Sequence, residues 1–528
     1  MTTDTTTRTD EPSIVRRPRG WIWAALAGLV SAAALLAVAE LFAVLVARSA
    51  SPVLAVGSFI VDVVPRPLKE FAITVFGESD KIALLAGVGL GAAVAAAVAG
   101  VLEYRFRPVG AILIGVGGIL ATVAIVTRAG ATGLAWLPPV LGTIAGVALL
   151  LILSRRLRRW SAAAAADDPQ AAGVSRRGFF LLSGISAATA VVVGVGARVV
   201  NAATASVAAA RDALRLPSVR STVTVPAGAS LDVPGLSPLI TPNADFYRVD
   251  TALTVPNVDP STWRLSIDGM VDTPIELSFD DLVNMGLDEY GVTLTCVSNE
   301  VGGGLVGNAI WQGVPIRDVL RLASPQDDAD MVLSESVDGF TASTPLSSLT
   351  DDGLDAIFAV AMNGEPLPFE HGFPVRMVVP GLYGYVSATK WVTKLTVTRF
   401  DQMEAYWTPR GYSAEAPIKM SSRVDTPKIG SPVSAGKVPI AGMAWAQPIG
   451  VKTVEVSIDD GEWQQATLST PINDQSWVQW MLEWDAQPGS HYISVRATDK
   501  RGNVQIQEPA AIAPNGSSGW QRTLVTVS

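Results

Sequence analysis

Residues 361–391 read AMNGEPLPFEHGFPVRMVVPGLYGYVSATKW. Asn363-Gly364 is a tight-turn dipeptide, and the glycines and prolines after it pin the loops around it. His371, Arg376 and Lys390 place three cation-capable donors within twenty residues of one another. Such a set suits an anionic group, above all a phosphate. Taken singly, each is also what a solvated surface charge looks like.

Upstream, Val292-Thr293-Leu294-Thr295-Cys296-Val297-Ser298-Asn299 reads as a strand ending in a polar turn, followed by Gly302-Gly303-Gly304. A lone cysteine is by default a small buried hydrophobe. A strand end beside a glycine turn is equally a place to present a ligand. Cys296 is the single cysteine among 528 residues, and His371 and His491 are the two histidines. That scarcity excludes an intrachain disulfide, a cysteine-held iron–sulfur cluster, a CxxCH haem attachment and a four-ligand zinc site. A haem between two membrane histidines is excluded too, since both histidines lie beyond the apolar segments. Redox chemistry here needs a cofactor that asks for at most one thiolate. Gly302, Gly304 and Gly307 match GxGxxG, but no long helix comes after them and no βαβ unit surrounds them, so a dinucleotide reading is rejected. They are expected to allow a tight turn or close backbone approach to a ligand. His491 begins a strand and is given a structural or surface role.

The composition divides the chain. Overall it is 49% apolar and 16% charged, too greasy for an ordinary soluble protein. Residues 1–200 hold 18 Lys+Arg against 11 Asp+Glu, and residues 201–528 hold 21 against 37. The first part reads as membrane with basic flanks; the acidic second part argues against nucleic acid as a partner. Five apolar stretches, 21–47, 82–102, 109–127, 131–153 and 178–197, are long enough to span a bilayer. Pro138-Pro139 is expected to kink the fourth. Glu40, in the first, should lie near an interface, face other helices or be protonated. Residues 52–76 are read as interfacial. Eleven basic residues on one side against five on the other orient the N-terminus inward. Five spans then leave the C-terminal half outside. Ser175-Arg176-Arg177-Gly178-Phe179-Phe180 opens the fifth span and resembles an internal twin-arginine export signal, a route suited to a folded, cofactor-loaded domain. A plain basic anchor would look the same.

The expected organisation is a cytoplasmic tail over 1–20, five transmembrane helices over 21–200, a linker over 201–240, an α+β domain over 241–400 and an all-β immunoglobulin-like sandwich over 401–528. The linker has room for one short helix at 203–214. Trp263–Gly269 and Lys390–Phe400 alternate as strands, and Ser278 opens a short helix over Phe279–Met285. Val454, Val456 and Ile458 run into Asp459-Asp460-Gly461, and Ile493, Val495 and Ala497 into Asp499–Asn503.

NGEPLP, then HGFPVR, VVPG and KW, resemble the sulfite oxidase family of molybdenum enzymes. The isolated Cys296 matches that family's metal-ligating cysteine, and Thr241-Pro242-Asn243-Ala244-Asp245-Phe246-Tyr247-Arg248 its cofactor-contacting segment. AWA, SIDDGEW and GWQR resemble its dimerisation domain. The resemblance covers about 241–528. It implies a molybdenum-molybdopterin cofactor with Cys296 as thiolate ligand. Phe246, Tyr247, Arg248, Asp338, His371, Arg376 and Lys390 would contact the pterin or its phosphate. Cys296, Arg248 and Trp311 would serve the reaction, Trp311 as an aromatic near the substrate, although a core position suits it equally.

The pattern departs from the family in two places. An Asn and two arginines after the cysteine read Asn299-Glu300-Val301 here, and Arg-Asn-His reads Arg248-Val249-Asp250. Losing cations and adding carboxylates weakens a sulfite pocket. The expected function is therefore oxygen-atom transfer on a small sulfur or nitrogen compound, in either direction, sulfoxide reduction included. Electrons would pass to or from a separate carrier, and the partners would be the bilayer and a second copy through the C-terminal domain. The alternative is a non-catalytic membrane-anchored binding protein.

Overall fold

The structure is a computed structural model that describes residues 20–46, 80–126, 133–166, 168–201, 204–252, 255–428, 430 and 432–528. It divides into two compact units, Met1–Ala203 and Thr204–Ser528.

The first unit is helical: α1 (Gly20–Val46), α2 (Asp80–Arg105), α3 (Val109–Val126), α4 (Leu137–Ala165) and α5 (Pro169–Asn201). Among the described residues four helices are long and apolar enough to cross a membrane, at Gly20–Ala43, Ala86–Arg105, Val109–Val126 and Leu137–Ala165. The fifth expected span lies within α5, of which the side chains from 193 on fall outside the described residues. The interfacial segment expected at 52–76 also falls outside them. The kink expected at Pro138-Pro139 is not there: α4 starts at Leu137, so both prolines occupy its first turn, where a missing N–H costs nothing. Gly28 and Gly100 bring α1 and α2 into backbone contact, since a Cβ on Gly28 would sit 1.9 Å from the Ala96 carbonyl oxygen. Glu103 is fully buried where α2, α3 and α4 meet. It accepts from the Ala111 amide at 3.1 Å and faces Arg107 and Arg158 at 3.7 and 3.9 Å. Glu40 is half-buried in α1.

The second unit opens with α6 (Thr204–Ala213). The linker composition of 204–240 does not make a free tether. Arg211 donates to the Pro366 and Leu367 carbonyls at 2.7 and 2.8 Å, and the Leu239 carbonyl accepts from Trp477 Nε1 at 2.7 Å.

Two sheets then frame the α+β region. One comprises β1 (Arg264–Gly269), β2 (Ile275–Ser278), β5 (Met331–Ser336), β6 (Thr341–Pro345) and β10 (Val392–Thr398) in the order β2-β1-β10-β5-β6, with β1 and β10 parallel. The other comprises β3 (Asp288–Thr295), β4 (Val306–Pro315), β7 (Ile357–Met362) and β8 (Glu365–Pro366) in chain order, with β9 (Arg376–Val378) paired to β7. The short helices α7 (Phe279–Asn284), α8 (Ile316–Ala323) and α9 (Leu346–Thr350) connect them. Ser278 caps α7 in a reciprocal box with Asp281.

The remaining strands are β11 (Ser421–Thr426), β12 (Gly436–Trp445), β13 (Val451–Ile458), β14 (Gln464–Gln465), β15 (Thr467–Leu468), β16 (Val478–Ala486), β17 (Gly489–Asp499) and β18 (Gln521–Val527). They form two four-stranded antiparallel sheets, β11-β12-β16-β15 and β14-β13-β17-β18. Inward residues from both, among them Ile440, Val454, Trp480 and Val495, share one hydrophobic cluster. His491 lies at the surface, its Nδ1 2.7 Å from Asp459 Oδ2.

Candidate active site

The β3–β4 connection builds one wall. Cys296 comes directly after the last residue of β3 and donates its amide to the Leu305 carbonyl at 2.9 Å, closing the base of the loop. Asn299 holds the loop's shape: its side-chain oxygen accepts from the Leu305 amide at 2.8 Å. Gly302 takes φ +77°, which the turn requires. Gly307 makes room for the Phe246 ring, 2.7 Å from where a Cβ would be. Gly304 has neither constraint.

The second wall comes from β9 and the loops on either side of it, with β7 paired behind β9. Asn363 and Gly364 both have positive φ and turn the chain back into β8. The Asn363 side-chain amide donates to the Thr241 carbonyl at 2.9 Å and to Asn243 Oδ1 at 2.8 Å, pinning the 241–247 segment. The Asn243 carbonyl in turn accepts from His371 Nε2 at 3.1 Å, so the proton of that ring sits on Nε2.

A cleft of roughly 800 Å3, counting the solvent at its mouth, opens between these walls. Phe246, Tyr247, Cys296, Asp338, His371, Arg376 and Lys390 all line it. Arg248 and Trp311 do not line it. Arg248 stands at the surface with its Nε 2.9 Å from Asp250 Oδ2. Trp311 is fully buried one layer behind, its Nε1 donating to the Val292 carbonyl at 3.1 Å and its ring 5.0 Å from the Arg376 guanidinium carbon. It supports the site from the core.

Charge in the cleft is distributed unevenly. Arg376 is 5% exposed and donates to the carbonyls of His371, Met377 and Ala388 at 3.2–3.5 Å. Among the described residues no carboxylate pairs with it. Burial lowers its pKa to about 10, and a buried, uncompensated cation is costly unless a ligand supplies the counter-charge. His371 is the exception to the expected cation set. Burial, then the neighbouring Arg376, push it down to about 4, so it is neutral at pH 7. Lys390 is 9% exposed and bonds Asp250 Oδ2 at 2.8 Å and the Glu370 carbonyl at 3.0 Å. Its pKa falls to about 8, because burial outweighs the carboxylate beside it. Burial also raises the Cys296 thiol, against the Ser298 amide that donates to its sulfur at 3.4 Å.

Several lining residues were not among the expected ones. Trp391 sits at φ +50°, a strained conformation for a bulky residue, with its Nε1 on the Phe369 carbonyl at 2.9 Å. Trp407 comes from a further segment, Phe340 stands two residues after Asp338, and Tyr385 stands within the 361–391 stretch, where no spacing distinguishes it. Asp250 had a signal, the departure from Arg-Asn-His. The other departure acts differently from expectation: Glu300 is exposed in its turn and does not line the cleft. The acid that enters the site is Asp250.

A single thiolate candidate beside a buried cation and neutral donors describes a molybdopterin-type site better than a multi-ligand metal centre. Among the described residues no three His, Cys, Asp or Glu side chains converge on a point. Residues 252–407 match the family model of the oxidoreductase molybdopterin binding domain. Over 343 residues the chain is 33% identical to mitochondrial sulfite oxidase of Homo sapiens, covering 55% of this chain and 62% of that one. It is 27% identical over 314 residues to the NAD(P)H nitrate reductase of Hordeum vulgare, covering 48% and 35%. The sulfane dehydrogenase SoxCD of Paracoccus pantotrophus superposes with a TM-score of 0.48 at 23% identity, over 54% of this chain and 81% of that one. Residues 252–407 thus match a molybdopterin-binding oxidoreductase domain, and the chain around them is similar to sulfite oxidases. It spans less than two thirds of the length of the curated relatives named here.

Proposed function

We propose that the protein is a membrane-anchored oxidoreductase that moves an oxygen atom, with two electrons, to or from a small sulfur- or nitrogen-containing substrate. The observation that supports it most is the buried Arg376, without a carboxylate partner, in the same cleft as Cys296. The residues fit a molybdenum-pterin cofactor. Cys296 would give the metal its protein thiolate, and deprotonation by the metal would offset the burial that raises the free thiol. Arg376 would meet the phosphate, with Lys390 and the neutral His371 adding donors, while Phe246, Tyr247 and Asp338 would contact the pterin. When bound, the cofactor supplies the oxygen-atom and two-electron chemistry. The chain's part is to orient it between the two walls and to choose the substrate, with Arg248 acting through the Asp250 carboxylate that it holds.

In this reading 241–400 is the catalytic domain and 401–528 an immunoglobulin-like domain that pairs two copies. The basic loops put the N-terminus in the cytoplasm and the catalytic half outside the cell membrane. The Ser175–Phe180 segment then serves export of a loaded domain, and electrons pass to a separate carrier. Metal analysis tests the core of the proposal. Wild-type protein should carry molybdenum and Cys296→Ser should lose it. Equal metal in the two proteins, or none in wild type, would sink the assignment.

A further inference from the structure

We infer that Asp250 sets the charge preference of the cleft, turning it from small dianions toward uncharged or cationic organic substrates; this rests on the cofactor assignment above. The Asp250 side chain is 4% exposed and faces the cleft. One of its oxygens, Oδ2, accepts from Lys390 Nζ at 2.8 Å and from Arg248 Nε at 2.9 Å. Lys390, which lines the cleft, and Arg248 beside it are therefore committed to a single carboxylate. Asp338 lines the same cleft, with Oδ2 3.4 Å from Thr251 Oγ1. Asp250 thus pairs with both Lys390 and Arg248, Asp338 adds a second negative charge to the cleft, and His371 is neutral. Arg376 is left, held by backbone carbonyls and matched to the cofactor's phosphate. A dianion entering the mouth would be stripped of water and meet no surplus positive charge. The cleft is also lined by the rings of Phe340, Tyr385 and Trp407, which favour an apolar body or a cation.

The test uses the purified full chain. Wild type, Asp250→Asn and Asp338→Asn are first assayed for molybdenum. Each is then titrated with sulfate as the dianion probe and dimethyl sulfoxide as the neutral one, monitored by tryptophan fluorescence, since Trp391 and Trp407 line the cleft. Wild type should bind dimethyl sulfoxide and bind sulfate weakly. Asp250→Asn should tighten sulfate at least about tenfold, the equivalent of ~1.4 kcal/mol, and leave dimethyl sulfoxide within about threefold. Asp338→Asn should tighten sulfate less, because it frees neither Lys390 nor Arg248. Wild type that binds sulfate as tightly as Asp250→Asn would overturn the inference while leaving the cofactor assignment standing. Should Asp250→Asn fail to fold, wild type decides alone, and sulfate bound as tightly as dimethyl sulfoxide would overturn it as well. A wild-type chain without molybdenum overturns the cofactor assignment, and the charge preference falls with it.

Discussion

Arg376 bears a charge that the fold itself does not neutralise. Its three acceptors are backbone carbonyls, so the metal-free protein bears a desolvation cost that a bound anion would relieve. Arg376→Met should therefore raise the stability of the metal-free chain by about 1–3 kcal/mol and bring its molybdenum content to background. Chemical denaturation and metal analysis check the two effects, and a destabilised variant that keeps its metal would contradict both. His371 gives a pH signature. Its folded pKa of about 4 lies below the unfolded value of 6.5, so between those pH values the unfolded chain binds the extra proton. Stability contributed by the neutral ring is full above pH 6.5 and is lost as pH falls toward 4, by up to about 3 kcal/mol. His371→Gln should flatten the stability profile of the metal-free protein across that window, and an unchanged slope would show that the ring is not held neutral.

At the scale of elements, the walls of the cleft depend on two strands approaching closely. A Cβ on Gly313 of β4 would sit 2.2 Å from the Phe358 carbonyl oxygen of β7, and backbone cannot yield as a flexible side chain can. Gly313→Ala should cost more than about 3 kcal/mol and separate the Cys296 wall from the His371 wall. Gly304→Ala, with nothing within 4 Å of its Cβ, should stay within about 0.5 kcal/mol of wild type. Denaturation of the two variants side by side checks this, and equal stability would refute it. Elements of this kind differ in how far the sequence announces them. β1, β13 and β17 alternate and end in turn residues with the φ values those turns need, Asp459 and Asp460 among them. The capping box of α7 is visible for the same reason: its signal is local. β7 is buried at every position, so its IFAVAM run shows no period and distinguishes strand from helix poorly. The parallel pairing of β1 with β10 joins Ser266 to Lys394, a contact that no local pattern encodes. Pro138-Pro139 misleads because a proline pair reads as a kink or as a start, depending only on where the helix begins. The site obeys the same rule. Cys296, His371, Arg376 and Lys390 stand in short motifs, and Tyr385 lies among them, whereas Phe340 and Trp407 join the cleft only through tertiary packing.

The two units of the whole molecule expose different surfaces. In the first, Leu90, Ile119, Ile144 and Val192 are 60–69% exposed, as lipid-facing side chains would be, while small residues such as Gly28 and Gly100 mediate helix contact. In the second, residues from 204 on close their own cores: one cluster runs through the α+β sheets and another between the two C-terminal sheets. The unit also carries the negative charge, 37 acidic against 21 basic residues after position 200, which favours solubility. Every residue that lines the cleft lies in the second unit. A chain beginning at Thr204 should therefore fold on its own, remain in the high-speed supernatant and, when made where the cofactor is available, hold as much molybdenum per chain as the full protein. The full chain should stay with the membrane pellet after high-salt and alkaline washes and need detergent for release. Fractionation with metal analysis checks both. A truncated chain that precipitates, or one that is soluble but metal-free beside a loaded full-length protein, would mean that the helices contribute to forming the site rather than only tethering it.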